Sequence, residues 1–149
     1  MNVTRSFAVA ATFAAVGVAV GAASPASAAP MMSGHYIKTS TPPGAAPTTD
    51  DWYFTPCGVG CADLSVPATG GSGRAILVNG RWTVNIASSV VCSDKTTVYE
   101  AINVHYVWDP NTLAGTAQLI SSKAACGNPP GYTQTNNIQL REAPEKSAT

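Results

Sequence analysis

The sequence predicts an all-β domain, a single antiparallel meander of about eight strands closed as a compact up-and-down barrel. Two observations carry that expectation. Apolar and polar residues alternate, as in Trp82, Val84 and Ile86 against Arg81, Thr83 and Asn85, and a period of two belongs to a strand with one buried face. The breaks between such runs have turn chemistry, above all Asn79-Gly80, because a type I′ hairpin needs positive φ at both central positions. No segment carries an amphipathic helical period of useful length. A two-sheet sandwich shares this signature. The barrel is favoured because sequential hairpins dominate, and because a meander removes its edges by curling closed.

Taken in order, the chain opens with a secretory signal peptide over residues 1–28. Arg5 is the positive n-region, Phe7 to Val20 is an uncharged run of Ala, Val and Phe, and Ala26-Ser27-Ala28 is a small-x-small cleavage site. An uncleaved anchor is the alternative, but the apolar run is short for a membrane span. Residues 29–33 read as a flexible lead-in and 34–141 as the β-domain. Weaker strands are expected at His35–Thr39, Asp51–Thr55, Ala62–Val66 and Arg74–Val78, and a stronger one at Arg81–Ile86. In Val98–Trp108, Ile102, Val104, Tyr106 and Trp108 share a face opposite Asn103 and His105. Leu113, Gly115, Ala117 and Leu119 form the next stripe, and Ile138 with Leu140 a short last one. Gly70-Gly71-Ser72-Gly73, Asp109-Pro110-Asn111 and the longer Gly127–Gly131 segment are turns and a loop. Residues 142–149 are polar, contain Pro144 and read as a disordered tail.

Removal of residues 1–28 from 149 leaves 121, the size of one ordinary domain. The formal charge then moves from zero to −1, as Arg5 leaves seven Lys and Arg against eight Asp and Glu. No basic patch or acidic run emerges, which argues against nucleic acid or anionic membrane as partners. The first cysteine is Cys57, so no thiol near the apolar run is available for lipid attachment. Four cysteines allow three connectivities, and sequence alone does not choose among them. The preferred pairing is Cys57–Cys61 with Cys92–Cys126. The first closes a loop of Gly58, Val59 and Gly60, whose glycines allow a sharp turn, and the second spans a long segment and restrains the unfolded chain more.

Each candidate chemistry stands beside a plainer reading. Cys57-x3-Cys61 lacks the two-residue spacing of a redox dithiol, and His35, His105, Cys92 and Cys126 lack finger-type spacing for zinc. Structural disulfides are therefore expected, with no metal and no cofactor. Neither histidine lies in a nucleophile-elbow pattern, and Val59 stands where a serine would be needed. Paired carboxylates for glycoside hydrolysis reduce to Asp50-Asp51 and Asp94 with Glu100. Glu100 falls by parity on the apolar face with Ile102 and Val104, which places it at an open barrel end or in a pair with Arg74 or Arg81. The aromatics say more. Trp52, Phe54, Trp82, Tyr106 and Trp108 occupy inward parities of separate strands and should converge. They form either a packed core or the lining of a small ligand cavity, since eight-stranded barrels can hold one small ligand.

The mature chain resembles a family of small secreted mycobacterial proteins, and a similar module forms the extracellular part of some mycobacterial serine/threonine kinases. The resemblance rests on Trp52-Tyr53-Phe54-Thr55-Pro56-Cys57-Gly58-x-Gly60-Cys61-Ala62, Gly80-Arg81-Trp82 and Cys92. It continues with Trp108-Asp109-Pro110-x-Thr112-Leu113-x-Gly115-Thr116 and Cys126-Gly127, and spans roughly Ser33 to Leu140. The family pattern places a glycine after the third cysteine where this chain has Lys95, which puts the local turn in question. The resemblance implies a secreted or cell-envelope domain with a sensing or binding role, and assigns no site residues. The expected function is a secreted, non-catalytic binding module for a small apolar or envelope-derived ligand. The alternative is a protein-interaction domain that presents the rigid Pro56–Cys61 loop to an extracellular partner. A hydrolase is the third reading.

Overall fold

The computed structural model describes residues 30–145. The expected signal peptide and residues 146–149 lie outside them. Eight strands follow one another: β1 (Gly34–Thr41), β2 (Thr48–Gly58), β3 (Cys61–Val66), β4 (Gly71–Val78), β5 (Arg81–Val91), β6 (Thr97–Trp108), β7 (Ala114–Ser121) and β8 (Thr133–Glu142). Each pairs antiparallel with its sequence neighbour, and β1 pairs with β8 to close the barrel. The expected meander is therefore present strand for strand, and the sandwich is not. Among the described residues no helix is long and apolar enough to cross a membrane.

The turns explain why the strands stop where they do. Asn79 and Gly80 take φ values of 49° and 75°, the left-handed pair that a tight β4–β5 hairpin requires. Lys95 also sits at positive φ, 67°, in the β5–β6 turn, where its amide donates to the Cys92 carbonyl. That is a backbone position favouring glycine, and lysine holds it under strain. Met32, in the segment expected to be a loose lead-in, is buried in the core. Glu142, expected in the tail, ends β8 opposite Tyr36 and accepts a hydrogen bond from its hydroxyl at 3.3 Å.

Alternation places the core. Tyr36, Trp52, Phe54, Ala62, Leu64, Val66, Ala75, Trp82, Val84, Ile86, Val104, Tyr106, Trp108, Ala117, Ile138 and Leu140 form one buried cluster along the barrel axis, with Met32. Trp52, Trp82 and Trp108 are the largest fully buried side chains. The ring centroids of Trp52 and Tyr106 lie 4.9 Å apart, Trp52 and Trp108 5.9 Å, Phe54 and Trp108 5.9 Å, and Trp82 and Trp108 6.4 Å. Those are contact distances for aromatic pairs. The indole N–H groups of Trp82 and Trp108 have no acceptor among the described residues. Gly115 makes this packing possible, since a Cβ there would come 1.9 Å from the Val107 carbonyl oxygen and 2.6 Å from the Trp108 Cα.

A further expectation is corrected. Glu100 does not face the core; it is exposed, at φ 51°, and its amide donates to Ser89 Oγ. The register between β5 and β6 shifts between Ser88 and Val90, and this bulge sets Tyr99, Glu100 and Ala101 against the single residue Ser89, so that alternation lapses there and Ala101 is buried instead. Arg74 pairs with Asp63 at 2.8 Å, leaving no Glu100 pair with Arg74 or Arg81 among the described residues.

Lys95→Gly should therefore stabilise the fold by about 0.5–1 kcal/mol, because release of left-handed strain exceeds the added freedom of the unfolded chain. Urea unfolding checks this. Gly115→Ala should cost about 3 kcal/mol or prevent folding, since the new methyl meets backbone that cannot yield.

Candidate functional site

An up-and-down barrel gathers its connections at two ends. At one end lie the β2–β3, β4–β5 and β6–β7 turns and both termini of the domain. At the other lie the β1–β2, β3–β4 and β5–β6 connections and the long β7–β8 loop, residues 122–132. Cys92–Cys126 joins the last two, with Cα atoms 5.2 Å apart. The loop is further held by hydrogen bonds from the Ser122 amide to the Ala101 carbonyl and from Lys123 Nζ to the Tyr99 carbonyl. A short bridge between Ala125 and Asn128 shapes its tip.

Between this loop and the barrel mouth is a cleft of about 310 Å³. Val90, Ile102, Leu119 and Ala125 supply apolar walls, and Ser121, Asn128, Tyr132 and Gln134 supply polar groups beside the Cys126 sulfur. No lining residue is charged. Such a cleft, apolar with a few convergent polar groups, is what a small-molecule site looks like, and its size lies at the lower bound for one.

Below the mouth the barrel interior is polar, although it lies inside the sheet. Gln134 Nε2 donates to Asn136 Oδ1 at 2.7 Å, and Asn136 Nδ2 donates to Ser40 Oγ at 3.2 Å. Tyr132 Oη donates to Gln134 Oε1 at 3.1 Å. Two residues from Ser40, Lys38 is only 5% exposed. Its ammonium meets Asp50 at 2.7 Å and lies 5.3 Å from the ring centroids of both Trp52 and Tyr106. A buried ammonium needs this company, because without a counter-charge its desolvation is costly. Burial, and then the negative charge of Asp50, push the Tyr106 hydroxyl from its ordinary 10 up to about 12.

The other sequence candidates separate. Trp52, Phe54, Trp82, Tyr106 and Trp108 do converge, but they pack on one another below the polar layer and none of them lines the cleft. Asp50 and Asp51 point to opposite faces: Asp50 inward to Lys38, Asp51 outward to His35 Nε2 at 2.7 Å. His35 stacks on Tyr53 with centroids 4.4 Å apart, and His105 Nδ1 pairs with Asn85 Oδ1 at 2.8 Å. Asp94 accepts the Thr96 amide, which together with that side chain holds its carboxyl below the usual carboxylate range. Cys57–Cys61 closes the β2–β3 turn at the far end, with Val59 89% exposed at its tip. Among the described residues no group of three or more His, Cys, Asp or Glu is placed to hold a metal ion.

Sequence reading missed Lys38, Ser40, Gln134 and Asn136. Parity could have found them, since Tyr36 inward requires Lys38 and Ser40 inward, and Ile138 inward requires Asn136 and Gln134. No protein-family model, curated protein or solved structure matches the chain, so the resemblance drawn from its motifs rests on those residues alone.

Two measurements follow from this geometry. Chain-entropy arguments assign about 4 kcal/mol to the Cys92–Cys126 crosslink, which spans 34 residues, and about 2 kcal/mol to Cys57–Cys61, which spans four. The Cys92→Ser/Cys126→Ser variant should therefore lose about twice the stability of Cys57→Ser/Cys61→Ser in denaturant unfolding. The raised Tyr106 pKa means that the folded protein keeps this proton more tightly than the unfolded chain. Its contribution, roughly 2–3 kcal/mol, is complete below pH 10 and is lost as pH rises from about 10 to about 12. Tyr106→Phe should remove that part of the alkaline slope.

Proposed function

We propose that the protein is an extracellular, non-catalytic binding module that takes a small, mainly apolar ligand into the cleft at its disulfide-tied end. The observation that carries this reading is the contrast between the two ends of the barrel. Aromatic rings fill the interior at one end, whereas the other keeps an uncharged cleft of about 310 Å³ over an ordered polar floor. Two disulfides and no free cysteine among the described residues fit an oxidising, extracellular-type compartment. The apparent signal peptide and the resemblance to secreted mycobacterial proteins and kinase extracellular modules point to the same place. In this reading Trp52, Phe54, Trp82, Tyr106 and Trp108 are the packed support below the site, and Ile102, Leu119 and Gln134 are its contacts.

A second reading is favoured by one specific observation. Val59 is 89% exposed on a turn held by Cys57–Cys61, by the Gly58 and Gly60 conformations, and by a hydrogen bond from the Leu77 amide to the Gly60 carbonyl. Partly exposed Ile76 and Val78 lie on the neighbouring strand. A pre-ordered apolar tip loses little entropy when an extracellular protein docks on it.

Titration with the neutral dye N-phenyl-1-naphthylamine separates the two. The wild-type chain should bind it with a micromolar Kd, and Ala125→Trp or Ile102→Phe should weaken binding at least tenfold without changing the unfolding midpoint. Val59→Ser should leave dye binding intact. Equal binding by the cleft variants, or no binding by the wild type, would remove the cleft as the site.

A further inference from the structure

The polar atoms at the cleft are few enough to be counted, and the count restricts the ligand. A glutamine amide has two N–H donors and two lone pairs on its oxygen. Gln134 spends one N–H on Asn136 Oδ1 and one lone pair on the Tyr132 hydroxyl. The chain ends in two hydroxyls, Tyr132 and Ser40, that can each donate or accept, and either direction along it leaves Gln134 the same remainder. One N–H and one lone pair of Gln134 are left for the cleft that it lines. Ser121 contributes less, since its hydroxyl already donates to the Lys123 carbonyl at 2.8 Å. Asn128 and Tyr132 add an amide and a hydroxyl, but both residues are exposed, where water competes for their polar atoms. The less exposed donor–acceptor pair of Gln134 is surrounded by Val90, Ile102, Leu119 and Ala125, which offer no polar side-chain atom.

Charge is excluded by the same inventory. A carboxylate or ammonium head would have to shed water against apolar walls, which is costly without a counter-charge. No charged residue lines the cleft, and the buried ammonium nearby, Lys38, is committed to Asp50 at 2.7 Å.

Resting on the reading of the cleft as a ligand site, we propose that the ligand is a neutral amphiphile with a single polar group that both donates and accepts. An aliphatic alcohol or primary carboxamide has this chemistry. Its polar group exchanges two hydrogen bonds with the Gln134 amide, and its hydrocarbon body lies against Val90, Ile102 and Leu119. Gln134 is then the residue that sets specificity, and Asn136 and Ser40 position it.

Calorimetric titration of the full disulfide-bonded domain with octanamide, 1-octanol, methyl octanoate, octanoate and octylammonium tests this. The amide and the alcohol should bind within about threefold of each other. The ester, which only accepts, should be roughly fivefold weaker than the amide, and both ions at least tenfold weaker. Gln134→Met keeps the length of the side chain and removes its amide. It should bring octanamide down to the level of the ester while changing ester binding less than threefold. Gln134→Glu, of the same shape, is the second variant and should weaken the amide by a similar factor if methionine disturbs the fold. Octanoate or octylammonium binding as well as octanamide would overturn the assignment, as would unchanged amide affinity in both variants. Binding of the naphthylamine dye with none of the octyl probes would also overturn it while leaving the site in place, and failure of the dye as well would remove both.

Discussion

Everything in this domain depends on how the interior of a closed eight-stranded sheet is filled. Closure removes every strand edge, but it encloses a volume that must hold either side chains or a ligand. Here three tryptophans from β2, β5 and β6, with Phe54 and Tyr106, meet at centroid distances of about 5–6 Å and fill it from one end. Such a plug stabilises by burial and by edge-to-face geometry, and it also decides where space remains. Gly115 belongs to the same constraint, because the backbone of β7 can lie against Trp108 only without a side chain.

The opposite end carries the consequences. Above the rings, the inward positions of β1, β2 and β8 are Lys38, Ser40, Asp50, Asn136 and Gln134, polar residues that have each found a partner. A satisfied polar layer rigidifies what surrounds it, whereas an unsatisfied one would be costly. It also gives the cleft a floor of hydrogen-bonded amides and hydroxyls. The β7–β8 loop that roofs the cleft has no strand neighbour of its own, and the crosslink from Cys126 to Cys92 anchors it to the adjacent turn. The cleft is thus a product of three layers: plug, polar floor and tethered roof.

Much of the fold was legible because apolar alternation and turn chemistry are local signals. Trp82-x-Val84-x-Ile86 and Asn79-Gly80 needed no knowledge of the rest of the chain, and the convergence of five aromatics followed from parity. The two disulfides, a preference among three pairings, are the ones present. Parity alone places the polar floor inward, but Lys38 or Asn136 there looks like a break in the apolar pattern until its partner on another strand is known. Glu100 failed for a different reason. A bulge shifts register through pairing between β5 and β6, and nothing in Tyr99-Glu100-Ala101 marks it. The cleft was missed because its walls come from four distant segments, and its roof is a loop whose course only the crosslink defines.

The central claim is that this barrel binds at its open, disulfide-tied end and not among its tryptophans. Proton–nitrogen correlation spectra of the labelled domain, recorded while 1-octanol is added, test it most directly. The account predicts movement of the Ile102, Leu119 and Gln134 amides and the Gln134 side-chain signals, with the Trp82 and Trp108 indole signals still. Movement of those indoles with a quiet β7–β8 loop would place the ligand inside the aromatic plug and contradict the account.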